Sequence, residues 1–422
     1  MLSGNKTMSE YTKLTNNTKN YLITSPTGLL ASHILYQILE DNVDNLQNIR
    51  IVNLVHGLTD EKINYTLRKE HLYKKTQKKS FKEIKEILIN VNFELTSSDL
   101  GLDPVFVEKM KGVKIEHLFH SAAITDFRDK ESIKPKLDKI NVEGTANVLT
   151  LTKIFVVKNF HYVSSAYVCG ITSGKIIPDQ YTDSNFIDFH NYYEFSKLKA
   201  EKLVEDYCVK EKINYMIFRP STISGRLMYE PIGYINKFDV FYALFRFFYK
   251  MRYLYALKEN PEIKDKAWSP LNEKKIVPFN IRIQAAENQG LNIVPVDYAA
   301  KIIIDVSNNN NFIKKEKIVN IVNNDVIFHR TYINTMMEVL KFKDFEFVNK
   351  NIPHKEQTQT EQSYYRMVGD IFHGYLNQGN LVFSVDNLKD DFEDTLKLCP
   401  VMSGDNFRTL INYALDNNFT VK

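Results

Sequence analysis

The chain has 422 residues, 44% hydrophobic and 25% charged, with a formal net charge of +4. That length suits two domains, or one large domain with a substantial attachment, and the composition is that of an ordinary globular protein. So small a charge leaves no electrostatic footprint for nucleic acid. Three widely spaced cysteines, Cys169, Cys208 and Cys399, support neither a disulfide framework nor a metal cluster.

In chain order, residues 1–18 are polar and expected to be peripheral, with no signal-like apolar core. Tyr21-Leu22-Ile23-Thr24 reads as a strand, followed by Ser25-Pro26-Thr27-Gly28-Leu29-Leu30-Ala31 and an apolar helix to about Leu39. Ile51-Val52-Asn53-Leu54-Val55 is the next strand, so the chain opens with a βαβ unit. Of a glycine-rich dinucleotide turn only Gly28 is kept, flanked by Ser25 and Ala31. Such a turn must bend sharply, admit a pyrophosphate to the backbone and pack helix on strand. Thr24, Ser25, Thr27, Gly28, Leu29 and Leu30 are therefore candidate cofactor contacts; a helix start capped by Ser25 or Thr27 is the equally ordinary alternative. The second strand ends at His56-Gly57, with Arg68 further on, where NAD sites place an acid. Positive or hydrogen-bonding partners there favour the 2′-phosphate of NADPH, while Asp60 and Glu61 keep NADH open.

Residues 59–88 read as helical and strongly basic, expected to be a solvated face; the alternative is a surface that steers an acidic carrier protein. Ile115-Glu116-His117-Leu118-Phe119-His120 is a strand ending at Ser121-Ala122-Ala123, and His120 is expected to serve packing rather than catalysis. Asn141 begins the helical stretch Asn141-Val142-Glu143-Gly144-Thr145, which runs to about Phe155. Phe160-His161-Tyr162-Val163-Ser164 and Tyr215-Met216-Ile217-Phe218-Arg219-Pro220 are two more strands, with the Tyr193 helix between them. Strands alternating with helices predict an α/β, Rossmann-type, doubly wound parallel sheet. Residues 1–225 are assigned to it, and 226–422 to a smaller, mainly helical substrate region. Residues 291–304 are expected to return to the core sheet. An aromatic helix over 238–258, carrying Arg246, Lys250 and Arg252, is expected to cover an apolar cavity. A membrane surface or an acyl carrier is its alternative partner. Residues 259–290 read as loop-rich, and 325–420 as two or three helices, one over 360–376. No apolar stretch is long enough to span a bilayer, so the cytoplasm is the expected compartment, with peripheral membrane contact as a variant.

Tyr193 and Lys197 stand one helical turn apart and share a face, where an ammonium would favour ionisation of a phenol. In a chain of 24 tyrosines that spacing alone says little. It gains force from Ser164-Ser165-Ala166 at a strand end upstream. Reduction of a carbonyl builds negative charge on oxygen, which needs a donor; Tyr193 is the candidate proton donor and Ser165 the second donor. Cys169 has no histidine in a catalytic spacing and is expected to be structural.

Together these segments resemble the extended short-chain dehydrogenase/reductase superfamily, most closely its thioester reductase and fatty acyl reductase, or male-sterility-type, branch. The likeness runs from about Tyr21 to Ile304 and includes Asn292-Ile293-Val294-Pro295-Val296-Asp297-Tyr298-Ala299. It implies that Lys197 also holds the nicotinamide ribose and that Asn141 supports the active-site helix. It further implies that Glu94 and Leu95 border the adenine, and that Ser121, Ala122, Ala123, Pro220 and Ser221 lie along the cofactor. Departures are Ser25 and Ala31 for glycine, His56 for arginine, and Phe93-Glu94-Leu95 for Gly-Asp-Leu. The resemblance implies NADPH-dependent reduction of an acyl thioester on coenzyme A or an acyl carrier protein, to aldehyde or on to alcohol. A sugar-nucleotide or hydroxy/keto-lipid dehydrogenase or epimerase is the enzymatic alternative, and a nucleotide sensor or scaffold the non-catalytic one.

Overall fold

The computed structural model describes residues 14–128, 130–178, 188–263 and 268–420. Residues 1–13, most of the stretch expected to be peripheral, lie outside them. Seven parallel strands form the central sheet: β1 (Lys19–Thr24), β2 (Ile49–Val55), β3 (Leu88–Asn92), β4 (Lys114–His120), β5 (Val156–Val163), β6 (Asn214–Pro220) and β7 (Ile318–Ile321). Their order is β7-β6-β5-β4-β1-β2-β3, so strand succession reverses between β1 and β4. Ligands of doubly wound sheets bind beyond the carboxyl ends of the strands at such a switch point. The sheet is apolar on both faces because helices cover both: Ile23, Ile51 and Phe119 belong to one buried cluster, and Leu22, Val52 and Leu118 to another.

Helix α1 (Leu29–Asp41) lies in the first cluster with α2 (Val296–Asn308), whose Ala299, Ala300 and Ile303 are fully buried. Residues 291–304 do not join the central sheet as expected. Ile293–Pro295 pairs with Thr222–Ser224 in a separate two-stranded ribbon, and the chain rejoins the sheet only at β7. Asp297 explains the detour. Fully buried, it accepts hydrogen bonds from the backbone N–H groups of Leu227, Met228 and Tyr229 and so fixes the chain leaving β6.

The basic stretch 59–88 is not one helix. It is divided into Asp60–Thr66 and Phe81–Glu86, with single tight turns between them. Ser80 and Glu83 close a capping box that restarts the second piece. The helix bearing Tyr193 and Lys197 (Tyr192–Glu211) forms as read, and the aromatic helix (Phe241–Glu259) begins three residues later than expected. The region read as loop-rich contains the strand Val277–Gln284, paired with Phe342–Val348. A third cluster joins Phe245 and Phe248 of the aromatic helix to Met336, Tyr364, Phe372 and Leu410 of the C-terminal helices. Among the described residues no helix is long and apolar enough to cross a membrane.

Candidate active site

Beyond the carboxyl ends of β1, β4, β5 and β6 lies a cavity of about 300 Å³, a volume suited to a small-molecule site. Ser25, Gly28, Leu29 and Leu30 form one wall, Ser121 and Ala123 another, and Pro220 and Ser221 a third. Ser165, Tyr193 and Lys197 stand together within it. These are eleven of the sequence-derived site residues, drawn from five separate segments.

The nucleotide turn works without its first glycine because Ser25 itself takes the left-handed conformation, at φ 52°. Its N–H donates to the Leu54 carbonyl (2.8 Å), and its own carbonyl accepts from the Gly28 N–H (2.9 Å). A Cβ at Gly28 would approach that carbonyl to 3.2 Å, a tight contact that favours glycine there. Neither Ser25 nor Thr27 caps α1, and its first turn carries no acid. The Leu29 and Leu30 N–H groups at this helix start, beside the cavity, have no protein acceptor among the described residues and can meet a ligand; a helix N-terminus of this kind suits a pyrophosphate. The site therefore fits a nicotinamide dinucleotide.

Lys197 is buried. Its Nζ donates to the Val163 carbonyl (2.6 Å) and lies 4.2 Å from the centre of the Tyr162 ring. Burial pulls its ammonium down to about 7, against the opposing pull of Glu201. Burial pushes the Tyr193 phenol up to about 12, and a Thr125 hydrogen bond only partly offsets it. The expectation that Lys197 would lower the phenol is thus corrected: desolvation prevails, and Tyr193 keeps its proton. A phenol in that state is a donor, not a base. Ser165 Oγ accepts from the Tyr167 N–H (3.2 Å), whereas the buried Ser164 hydroxyl, also on the cavity, makes no hydrogen bond.

Asn141 does not line the cavity. It sits in a π-helical turn (Asp138–Glu143), where its Nδ2 donates to the Ile124 carbonyl (3.1 Å) and to Ser196 Oγ (3.0 Å). Its Oδ1 accepts from the Ile124 N–H (2.9 Å). Asn141 therefore ties the loop bearing Thr125 and Phe127 to the helix bearing Tyr193 and Lys197. Thr24 is also a support: Oγ1 accepts from the Ser121 and Ala122 N–H groups and meets His120 Nδ1 at 3.0 Å. His120 bridges to Thr145 (3.0 Å), and burial drives it down to about 3, so it is a neutral packing residue.

Ala122, His56, Arg68, Glu94, Leu95 and Thr27 do not line the cavity. Ala122 is buried. His56 is exposed and pairs with Glu94 (3.2 Å). Leu95 packs against Gly144, where a Cβ would come within 2.6 Å of it. Thr27 and Arg68 share an open depression with Lys62. Lys62 escaped the sequence reading: its Nζ donates to the carbonyls of His56 (3.0 Å) and Gly57 (2.8 Å), which puts an ammonium at the end of β2. Glu194, Phe127 and Tyr167 were also missed, as were His329, Tyr332, Phe372 and Tyr375 of the C-terminal region, all on the cavity.

Several solved structures share this fold. The terminal R domain of the myxalamid PKS-NRPS biosynthetic pathway matches with a TM-score of 0.66 at 19% identity, over 95% of this chain and 92% of that one. A thiolation-reductase di-domain from an archaeal non-ribosomal peptide synthetase gives 0.59 at 16%, over 98% and 81%. UDP-glucuronic acid 4-epimerase from Bacillus cereus, in complex with NAD, gives 0.56 at 15%, over 93% and 96%. In sequence, the dTDP-D-glucose 4,6-dehydratase of Mus musculus is 28% identical over 222 residues, 52% of this chain and 54% of that protein. The anthocyanidin reductase of Arabidopsis thaliana is 28% identical over 202 residues, 44% of this chain and 55% of that protein. The chain thus spans about half the length of the curated relatives it matches. The male sterility protein model matches residues 23–303, from β1 through the catalytic helix to α2. The chain belongs to that NAD-binding family, within the extended short-chain dehydrogenase/reductase superfamily of nicotinamide-dependent oxidoreductases.

Proposed function

We propose that the protein is an NADPH-dependent reductase of acyl thioesters, carried on coenzyme A or an acyl carrier protein, that yields an aldehyde. The observation that carries this reading is the apolar part of the cavity that also holds Ser165, Tyr193 and Lys197. There Phe241 and Leu244 of the aromatic helix meet Phe372 and Leu376 of the C-terminal region, an apolar surface suited to an acyl chain. The likeness to two reductase domains of carrier-linked synthases adds support.

A nicotinamide dinucleotide, when held by the turn at Gly28 and by Lys197, would supply the hydride. Tyr193 and Ser165 hold the thioester oxygen, and Tyr193 passes it a proton as the carbonyl carbon is reduced to a hemithioacetal. The hemithioacetal then loses its hydroxyl proton, its C–S bond breaks and the thiol leaves with a proton, giving the aldehyde. Lys197 stabilises the phenolate for as long as it lasts. Lys62 at the end of β2, with Arg68 beside it, favours a 2′-phosphate and hence NADPH. The resemblance to sugar-nucleotide dehydratases supports a second reading, oxidation of a sugar nucleotide, for which Lys237, Thr222 and His329 on the same cavity are the available polar partners.

Anaerobic NADPH consumption with acyl-CoA thioesters of graded length, and with the same acyl groups on carrier protein, tests the proposal. Aldehyde or alcohol, identified by mass spectrometry, is the expected product. Turnover of sugar nucleotides alone would replace this reading with the second.

A further inference from the structure

The apolar part of the active-site cavity ends against packed side chains. Phe241 of the aromatic helix and Tyr332 of the helix His329–Val339 both line it, and they are only 2% and 3% exposed. Phe407 of the helix Gly404–Asp416 is fully buried, does not line the cavity, and packs on both. Its ring centre lies 5.1 Å from that of Phe241 and 5.6 Å from that of Tyr332. Met336, Leu410 and Ile411 belong to the same buried cluster. Three helices thus put a continuous core against this end of the cavity.

Tyr332 is also held in place. Its hydroxyl meets His329 Nδ1 at 3.1 Å, and the two rings cross edge to face at 5.5 Å. His329 is anchored in turn by its N–H, which donates to the Gln289 carbonyl (2.8 Å). A side chain in an interior of this density moves only by displacing its neighbours, so the wall resists a ligand that is too long.

The space available then sets a length. The cavity is about 300 Å³, twice the ~150 Å³ apolar cavity that takes up one benzene ring. A nicotinamide ring beside Tyr193 and Lys197 fills about one such share, which leaves room for about six carbons. The carrier arm of a thioester has to reach solvent, and the exposed Lys237 marks an open side of the cavity. The acyl chain is left with the closed, apolar end.

We propose that Phe241 and Tyr332, backed by Phe407, form a stop that limits the acyl chain to about six carbons. This rests on the thioester reading and narrows it to short-chain acyl thioesters.

The test assays the full-length enzyme with NADPH against straight-chain thioesters from acetyl-CoA to palmitoyl-CoA. In wild type kcat/KM is expected to climb about fourfold per methylene to about hexanoyl-CoA, then to fall at least about tenfold by palmitoyl-CoA. Phe241→Ala and Tyr332→Ala should each move the optimum up by about two to four carbons, the space of one ring less partial collapse. Phe241→Leu removes less and serves if the alanine variants fail to fold; it should raise kcat/KM for decanoyl-CoA above wild type. A wild-type kcat/KM that keeps rising through palmitoyl-CoA, or an optimum unmoved in the folded variants, would overturn the stop. A binding arm separates this from the thioester reading: calorimetric titration of 1-alkanols into the enzyme with NADP+ present. Affinity should rise to about 1-hexanol and level off in wild type, and go on rising to 1-decanol in Tyr332→Ala. That pattern without any thioester reduction leaves the stop standing and removes the thioester reading. Affinity that rises through 1-decanol in wild type, or no alkanol binding at all, removes the stop.

Discussion

At the scale of single residues, the burial of the Lys197 ammonium works against stability. Its folded pKa of about 7 lies below the 10.5 of a free lysine. The unfolded chain therefore binds the extra proton between about pH 7 and 10.5, and stability gains from this site as pH rises through that window. Lys197→Met should raise unfolding free energy at pH 7 by about 1–4 kcal/mol, read by denaturant titration, while abolishing turnover. In wild type the rate should fall as pH rises past about 7, because the ammonium is lost well before the Tyr193 proton, which stays on to about 12. Under the proposed NADPH reading Lys62 lies at the other end of the cofactor, so Lys62→Ala should lower the NADPH-over-NADH preference in kcat/KM about tenfold, as losing one charged hydrogen bond would. Ser165, Tyr193 and Lys197 were legible because helical spacing and a strand end are local signals. Lys62 was not, because its significance lies in two backbone carbonyls that it finds only after folding.

Elements carry the acid sensitivity of the fold. His117 of β4 and His161 of β5 are buried side by side in the sheet, ring nitrogens 2.9 Å apart, over Phe119 and Phe218. Burial lowers His161 and His120 to about 3 and His117 well below the ordinary range. Each such histidine is neutral in the fold and charged in the unfolded chain below about pH 6.5. Their contribution is complete above that pH and is lost as pH falls toward 3. Stability should drop by about 1.4 kcal/mol per pH unit for each one over this range, and His161→Leu should flatten the slope. The catalytic helix has its own anchor in the buried Glu201–Arg219 pair. Glu201→Ala leaves that guanidinium buried and should cost about 3–5 kcal/mol by thermal or chemical melt. Helices and central strands were readable from apolar runs. Leu88–Asn92 was not, because Asn90 and Asn92 interrupt its apolar pattern at the sheet edge. Val277–Gln284 alternates inward Val277, Phe279, Ile281 and Ile283 with polar positions, but Pro278 masks it as loop.

The whole molecule builds its site from two regions that sequence reading treats separately. The sheet supplies the turn at Gly28 and the Ser165, Tyr193 and Lys197 group; the C-terminal region supplies His329, Tyr332, Phe372, Tyr375 and Leu376. The link is direct: Tyr375 donates to Glu194 and accepts from Asn191 Nδ2 (2.7 Å), so a helix near the end of the chain is fastened to the start of the catalytic helix. No local signal forecasts a contact spanning some 180 residues, which is why the Ser165, Tyr193 and Lys197 group was legible and the C-terminal part of the cavity was not. Under the proposed function, hydride reaches a thioester carbonyl within this joint cavity. Incubating the enzyme with NADPH deuterated at the transferring position and an acyl-CoA, then locating the label by mass spectrometry, tests it most directly. One deuterium on the former carbonyl carbon of the aldehyde is expected with wild type, and at least about a hundredfold less labelled product with Tyr193→Phe. Unlabelled acyl-CoA recovered intact from an enzyme that binds NADPH, or label transfer undiminished in Tyr193→Phe, would contradict it.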